Sequence, residues 1–204
     1  MEEPRDLEAI MAVRNALADL GGDEAPAASE PSTAEAEEAS DSAGSVSPPT
    51  VDWSYLAALG VAPRWVLETT RGTITVRLVP EEAPLTVQTL ARFTEEGRYD
   101  GVLFHRVVPN FVAQAGDFTS RDGWGGPGFT IRSEFTEVRY LRGSVGMASA
   151  GKDTEGSQFF VTHSMQPHLD GSYTTFGWVV DGMDVVDRLD VGDRIIRATI
   201  EPGG

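Results

Sequence analysis

Within the run FHRVVPNFVAQAGDF, residues 104–118, stand a permanent cation, an aromatic ring and a side-chain amide: Arg106, Phe111 and Gln114. If the two halves form short strands, side chains alternate faces, so residues 104, 106 and 108 share one face and residues 112 and 114 share another. Pro109 has no amide hydrogen and Asn110 tolerates unusual backbone angles. A bend there folds the second half beside the first and brings Phe111 and Gln114 towards Arg106. A guanidinium, a ring and a carboxamide then border one cleft that could hold a peptide without a general acid or base. An ordinary hairpin, with Arg106 solvated and Phe111 in the core, satisfies the same segment.

A second run, GSVGMASAGKDTEGSQFFVT over residues 143–162, favours the cleft. Glycine-bearing turns surround Ala148, Ser149 and Ala150, whose small side chains leave a backbone edge that a peptide could join as an added strand. Gln158 and Phe160 are two apart, so they share a strand face and offer the cleft another amide and another ring.

Taken in order and spacing, the two runs resemble the site of the cyclophilins, a family of peptidyl-prolyl isomerases. The resemblance covers about residues 65–200. It implies that Arg106, Phe111 and Gln114 are catalytic. Substrate would be bound by Val112, Gly123, Ala148, Ser149, Ala150, Gln158, Phe160, His168, Leu169 and Tyr173. Some positions depart from the best-known members: Val112 stands where methionine is common, Ser149 where asparagine is, His168 where tryptophan is, and Tyr173 where histidine is. Val112 shortens the pocket floor but keeps it apolar, so proline still fits. In sensitive members the rim tryptophan donates an indole hydrogen bond to cyclosporin, so with His168 there the resemblance implies weak binding of that drug. The implied reaction accelerates rotation about Xaa-Pro bonds in folding proteins. A proline-peptide-binding chaperone or adaptor with little turnover is the alternative, and a barrel carrying a small apolar ligand is a third class, disfavoured because an eight-stranded interior is filled by its own side chains.

Other chemistries find little support. The chain has three histidines, His105, His163 and His168, and no cysteine, and it lacks paired carboxylates at ligand spacing, so neither a metal nor another cofactor is expected. His105 points away from Arg106 by alternation and is expected to make a structural hydrogen bond in the sheet. Ser157 lacks the strand, elbow and helix of a hydrolase nucleophile, and no helical pattern follows the glycines of residues 123–128 to cradle phosphate.

The elements that must position these residues are mostly strands. Residues 65–70 and 73–78 flank Arg71 and Gly72 as a hairpin, with Ile74, Val76 and Leu78 alternating with polar residues. Pro84 opens a helix that runs to Glu96 and stops at Gly97, with Val87, Leu90, Ala91 and Phe93 towards the core. Further strands are expected around Phe129, Val145, Phe160, Phe176 and Ile195, and a short helix over residues 183–189. This pattern by itself says barrel or sandwich. The resemblance implies a mainly β fold, a closed eight-stranded antiparallel barrel capped by two helices.

Composition divides the chain into three parts. Residues 1–50 hold twelve acidic and two basic residues, a net charge of −10 out of −16 for the whole. Over residues 1–22, Leu7, Ile10, Met11, Leu17 and Leu20 recur at near-helical spacing between an Asp6 cap and a Gly21 stop, which predicts one amphipathic helix. Residues 23–50 are rich in Ala, Glu, Ser and Pro, bury too little to offset ordering entropy, and read as a disordered acidic linker. Residues 51–204 are long enough for one domain with a core. The acid excess argues against nucleic acid as a partner, and no apolar run matches a membrane span or signal peptide. The chain therefore reads as soluble and cytoplasmic, and it is expected to act as a monomer on proline-containing peptides and unfolded or folding proteins.

Overall fold

The computed structural model describes residues 49–203. The helix expected over residues 1–22, and the linker expected over residues 23–50 except for its last two residues, lie outside the described residues. Among the described residues no helix is long and apolar enough to cross a membrane.

Period-two alternation builds the first hairpin. Strand β1, Arg64–Thr69, pairs antiparallel with β2, Gly72–Leu78, and Trp65, Leu67, Ile74, Val76 and Leu78 are all fully buried. The turn closes on the Thr69 hydroxyl, which donates to the Gly72 carbonyl at 2.7 Å and accepts from the Arg71 amide at 3.1 Å. Six further strands follow: β3, Arg106–Val108; β4, Val112–Ala115; β5, Ser144–Met147; β6, Phe159–Thr162; β7, Thr175–Asp181; and β8, Ile195–Glu201. They form one antiparallel sheet in the order β3-β4-β6-β5-β7-β2-β1-β8, curved into a half-barrel. Trp65 sits at the centre of the core, edge-on to Tyr99 at 5.1 Å and to Phe159 at 4.7 Å between ring centroids.

The expected full closure of the barrel is not found. The end strands β3 and β8 do not pair with each other; the seam between them is held just ahead of both, by a bridge between Leu103 and Arg194 and backbone bonds from Gly101 to Ile195 and from Ile195 to Val102. With only three residues, β3 is too short to carry the ladder across, so residues 101–104 take over the pairing as irregular chain. No strand forms around Phe129 either. A single bridge between Ile131 and Glu155 lies there, and Phe129 is spent on ring packing, 6.0 Å from Phe93.

Among the described residues three α-helices, rather than two, accompany the sheet. The unexpected one is α1, Trp53–Leu59, with Asp52 as N-cap accepting from the Tyr55 amide at 3.0 Å. It buries Leu56 and Leu59, roughly 2 kcal/mol each. Helix α2, Pro84–Glu95, begins at the expected proline and buries Val87, Leu90, Ala91 and Phe93. Its first amides are capped from far away: the Glu134 carboxylate accepts from Leu85 at 3.0 Å and from Thr86 at 2.9 Å, where a negative charge also suits the helix dipole. Helix α3, Met183–Val186, is shorter than expected and passes into turns, although Leu189 beyond it is still buried.

Candidate functional site

The bend between β3 and β4 sets the site. Asn110 adopts φ 61°, in the left-handed region that asparagine tolerates, and the Phe111 amide donates back to the Val108 carbonyl at 3.1 Å. The turn is pinned from outside, because the Gln166 side-chain amide and the Ser164 hydroxyl both donate to the Asn110 carbonyl, at 2.9 Å and 2.6 Å. In this register Arg106 lies opposite Gln114 and Val108 opposite Val112. The Arg106 guanidinium carbon stands 5.4 Å from the centroid of Phe111, and Nη1 makes a long 3.5 Å contact with Gln114 Oε1.

From Gln114 an amide relay crosses the cleft. Gln114 Nε2 donates to Gln158 Oε1 at 3.0 Å, and Gln158 Nε2 donates to the carbonyls of Gly123 and Gly125 at 2.8 and 2.7 Å. Gly123 is required by its surroundings: φ is 94°, and a Cβ there would come within 3.0 Å of the His105 ring.

Beside the polar row lies a small apolar cluster, separate from the main core. Val112, Tyr140, Phe160 and Leu169 are buried in it, and Phe111, Ala148 and Tyr173 pack against it while partly exposed. His168, on a 3₁₀ turn over Pro167–Leu169, stacks on Phe111 at 5.6 Å, and Tyr173 meets Phe160 edge-on at 5.9 Å. Ala148 continues the β5–β6 pairing by donating to the Gln158 carbonyl, and Ala150 is tied to the Thr154 hydroxyl at 2.9 Å, with half-buried Ser149 between them. The residues singled out from sequence thus gather around one cleft: Arg106, Gln114, Gln158 and Gly123 on its polar side, the rings with Val112 and Leu169 on its apolar side, and residues 148–150 along its edge.

Two residues behind the site had not been anticipated. Tyr140 stacks under Phe160 at 5.6 Å from a stretch without regular structure, which gives no periodic signal to read. Asp117, also buried, accepts from the backbone amides of Thr119, Ser120, Gly123 and Gly125 and from the Ser120 hydroxyl, all between 2.8 and 3.2 Å. Burial alone would raise its pKa, but these donors outweigh burial and hold the carboxyl well below the usual carboxylate range. A hydroxyl-bearing pair two and three residues after an aspartate is the local sign of such a turn. The hydrogen-bonding role expected of His105 is not found: neither ring nitrogen has a partner, burial lowers its pKa, and the ring serves as a support beneath Gly123.

A fixed cation beside an apolar cluster with two partly exposed rings, and a backbone stretch of small residues alongside, can hold an extended peptide and present a strong donor to one of its atoms. Comparison with known proteins points the same way. Residues 65–200 match the family model described as cyclophilin type peptidyl-prolyl cis-trans isomerase. The chain is 44% identical over 137 residues to a peptidyl-prolyl cis-trans isomerase of Synechococcus elongatus, covering 66% of this chain and 94% of that one. It is 45% identical over 131 residues to peptidyl-prolyl cis-trans isomerase B of Bacillus subtilis, covering 63% and 90%. Among solved structures, a Cryptosporidium parvum cyclophilin type isomerase in the presence of the dipeptide Ala-Pro is similar at a TM-score of 0.65 and 28% identity, covering 69% of this chain and 99% of that one.

Proposed function

Since the chain belongs to the cyclophilin-type peptidyl-prolyl cis-trans isomerases, and so accelerates rotation about Xaa-Pro bonds, we propose that Arg106, Phe111 and Gln114 carry the reaction and that the apolar cluster beside them holds the proline. A peptide bond rotates through a perpendicular state about 18 to 20 kcal/mol above the planar ones, a height set by amide resonance. At that state resonance is lost and the prolyl nitrogen becomes pyramidal and basic. A donor aimed at the nitrogen therefore binds the transition state more strongly than either ground state. Arg106 is that donor. Uncatalysed rotation takes tens to hundreds of seconds, so a turnover on the order of a thousand per second needs roughly 7 kcal/mol of stabilisation, more than one charged hydrogen bond supplies. Phe111, Val112, Phe160 and Leu169 contribute by gripping the ring in a dry pocket, where the lower dielectric strengthens the Arg106 contact. Gln114, fixed by Gln158, steadies the turning carbonyl.

The observation that carries this reading is the Arg106 guanidinium poised 5.4 Å over Phe111, the ring that packs against the Val112–Phe160–Leu169 cluster. Its test is exchange NMR or a protease-coupled assay on an Ala-Pro peptide. The intact chain is expected to turn over, and Arg106→Ala to lose about a hundredfold or more while keeping its circular dichroism. Unchanged turnover in that variant overturns the assignment, and binding without turnover in the intact chain leaves a proline-binding module.

Proline-containing segments of unfolded or folding proteins are the proposed partners, met by a single chain. Cyclosporin is proposed to bind weakly. The rim position carries His168, stacked on Phe111 with its ring plane 30° from parallel, and the imidazole replaces the indole donor of sensitive members. Inhibition titrations should give a constant at least about tenfold weaker than for His168→Trp, the worth of one good hydrogen bond. Equal constants would contradict this.

A further inference from the structure

Behind the peptide edge lies a carboxyl group that the isomerisation does not use. Glu155 is fully buried. Its Oε1 accepts from the Thr174 hydroxyl at 2.7 Å, and that hydroxyl accepts from the Glu134 amide at 2.8 Å. The group joins two walls of the cleft. Its own loop is the one that returns from residues 148–150, closed by Ala150 on Thr154 and braced against the neighbouring segment by Ile131 on the Glu155 carbonyl and Ser133 on Asp153. Thr174 follows Tyr173 of the pocket, and its carbonyl accepts from Met147, the residue before Ala148.

We propose that Glu155 is a positioning residue for the substrate cleft: protonated, it holds the peptide edge against the start of β7, and ionised, it loosens that edge and weakens peptide binding. The physical reason is burial. Ionising a fully buried carboxyl held only by neutral donors is costly, and the molecule relieves the cost either by keeping the proton or by opening to admit water. Burial outweighs the opposing hydrogen bonds of Thr174 and Ser133 and, with the charge of Glu134 adding to the rise, pushes the pKa up to about 7. The ionisable groups facing Glu155 are Glu134, whose carboxylate caps α2, and Tyr140 beneath Phe160, with Asp153 on its own loop. Neutral pH thus divides the population between the two forms.

The inference rests on reading residues 148–150 as the peptide edge, and its test is chosen to be independent of turnover. Binding of an Ala-Pro peptide to the full chain is followed by NMR from about pH 5.5 to 8.5, alongside the carboxyl carbon signals of labelled glutamate. Kd is expected to rise at least about threefold with pH, with a midpoint matching the Glu155 signal. Glu155→Gln, always neutral, should stay at the tight low-pH value throughout. Thr174→Ser should keep the wild-type profile, whereas Thr174→Val, without the hydroxyl, should move the midpoint upwards. A flat wild-type profile overturns the proposal. So does a profile that persists in Glu155→Gln, or, if that variant does not fold, a Glu155 signal that titrates elsewhere than Kd. Binding that follows pH while turnover is absent counts against the catalytic assignment and leaves this one standing.

Discussion

Asp117 gathers four backbone amides and a hydroxyl onto one carboxylate, and two of those amides belong to Gly123 and Gly125, whose carbonyls hold Gln158. Both oxygens are acceptors here. In Asp117→Asn one becomes a donor facing other donors, and the charge that strengthened every bond is gone. A loss of about 2 kcal/mol at pH 7 is expected by urea unfolding, with KM rising as the Gln158 relay slackens. The folded pKa is depressed, so the carboxylate's contribution is fully present above the unfolded value near 3.8 and is lost as pH falls below it. The gap between variant and wild type should therefore narrow in acid, and a gap that is constant with pH would refute the account. Arg106, Phe111 and Gln114 were legible in the sequence because a single tight bend brings them together. Asp117 was not, since two of its five donors come from glycines that approach it only once the loop has closed.

At the scale of elements, β5 is a thin wall between two aromatic layers. Gly146 lies in it with an ordinary strand conformation, yet a Cβ there would meet the Tyr140 hydroxyl oxygen at 2.1 Å and Phe160 Cζ at 2.8 Å. The constraint is one of space alone. Gly146→Ala should cost about 1 to 3 kcal/mol by displacing both rings, and because Phe160 lines the pocket, KM should rise more than kcat falls. Unchanged stability and KM would show that the rings have room to retreat. Strands and the α2 start were legible where the pattern is local, as in Ile74, Val76 and Leu78 or the proline at residue 84. The Glu134 cap was not, because it arrives from 49 residues downstream of Leu85 on a stretch with no period to detect. Nor was α1, although Asp52, Leu56 and Leu59 carry a cap and an i, i+3 apolar pair.

For the molecule as a whole, the described residues are anchored close to their N-terminal end. The most N-terminal anchoring bond described is Gln88 onto the Thr50 carbonyl, next to the Arg92–Asp52 pair. A chain beginning at Val46 keeps both, so it should retain the unfolding midpoint and turnover of the full chain within about twofold. A larger loss would give the acidic leader a part in the site. The eight strands were legible singly, but their spatial order and the unclosed seam were not, since pairing depends on residues remote in sequence. The longest of those pairings runs from Arg64–Thr69 to Ile195–Glu201. During synthesis β1 finds β2 at once, yet its other edge stays bare until nearly every other strand has been made. The nascent domain therefore travels through translation with an open, adhesive flank. An isomerase of Xaa-Pro bonds can finish its own sheet only when β8 emerges from the ribosome.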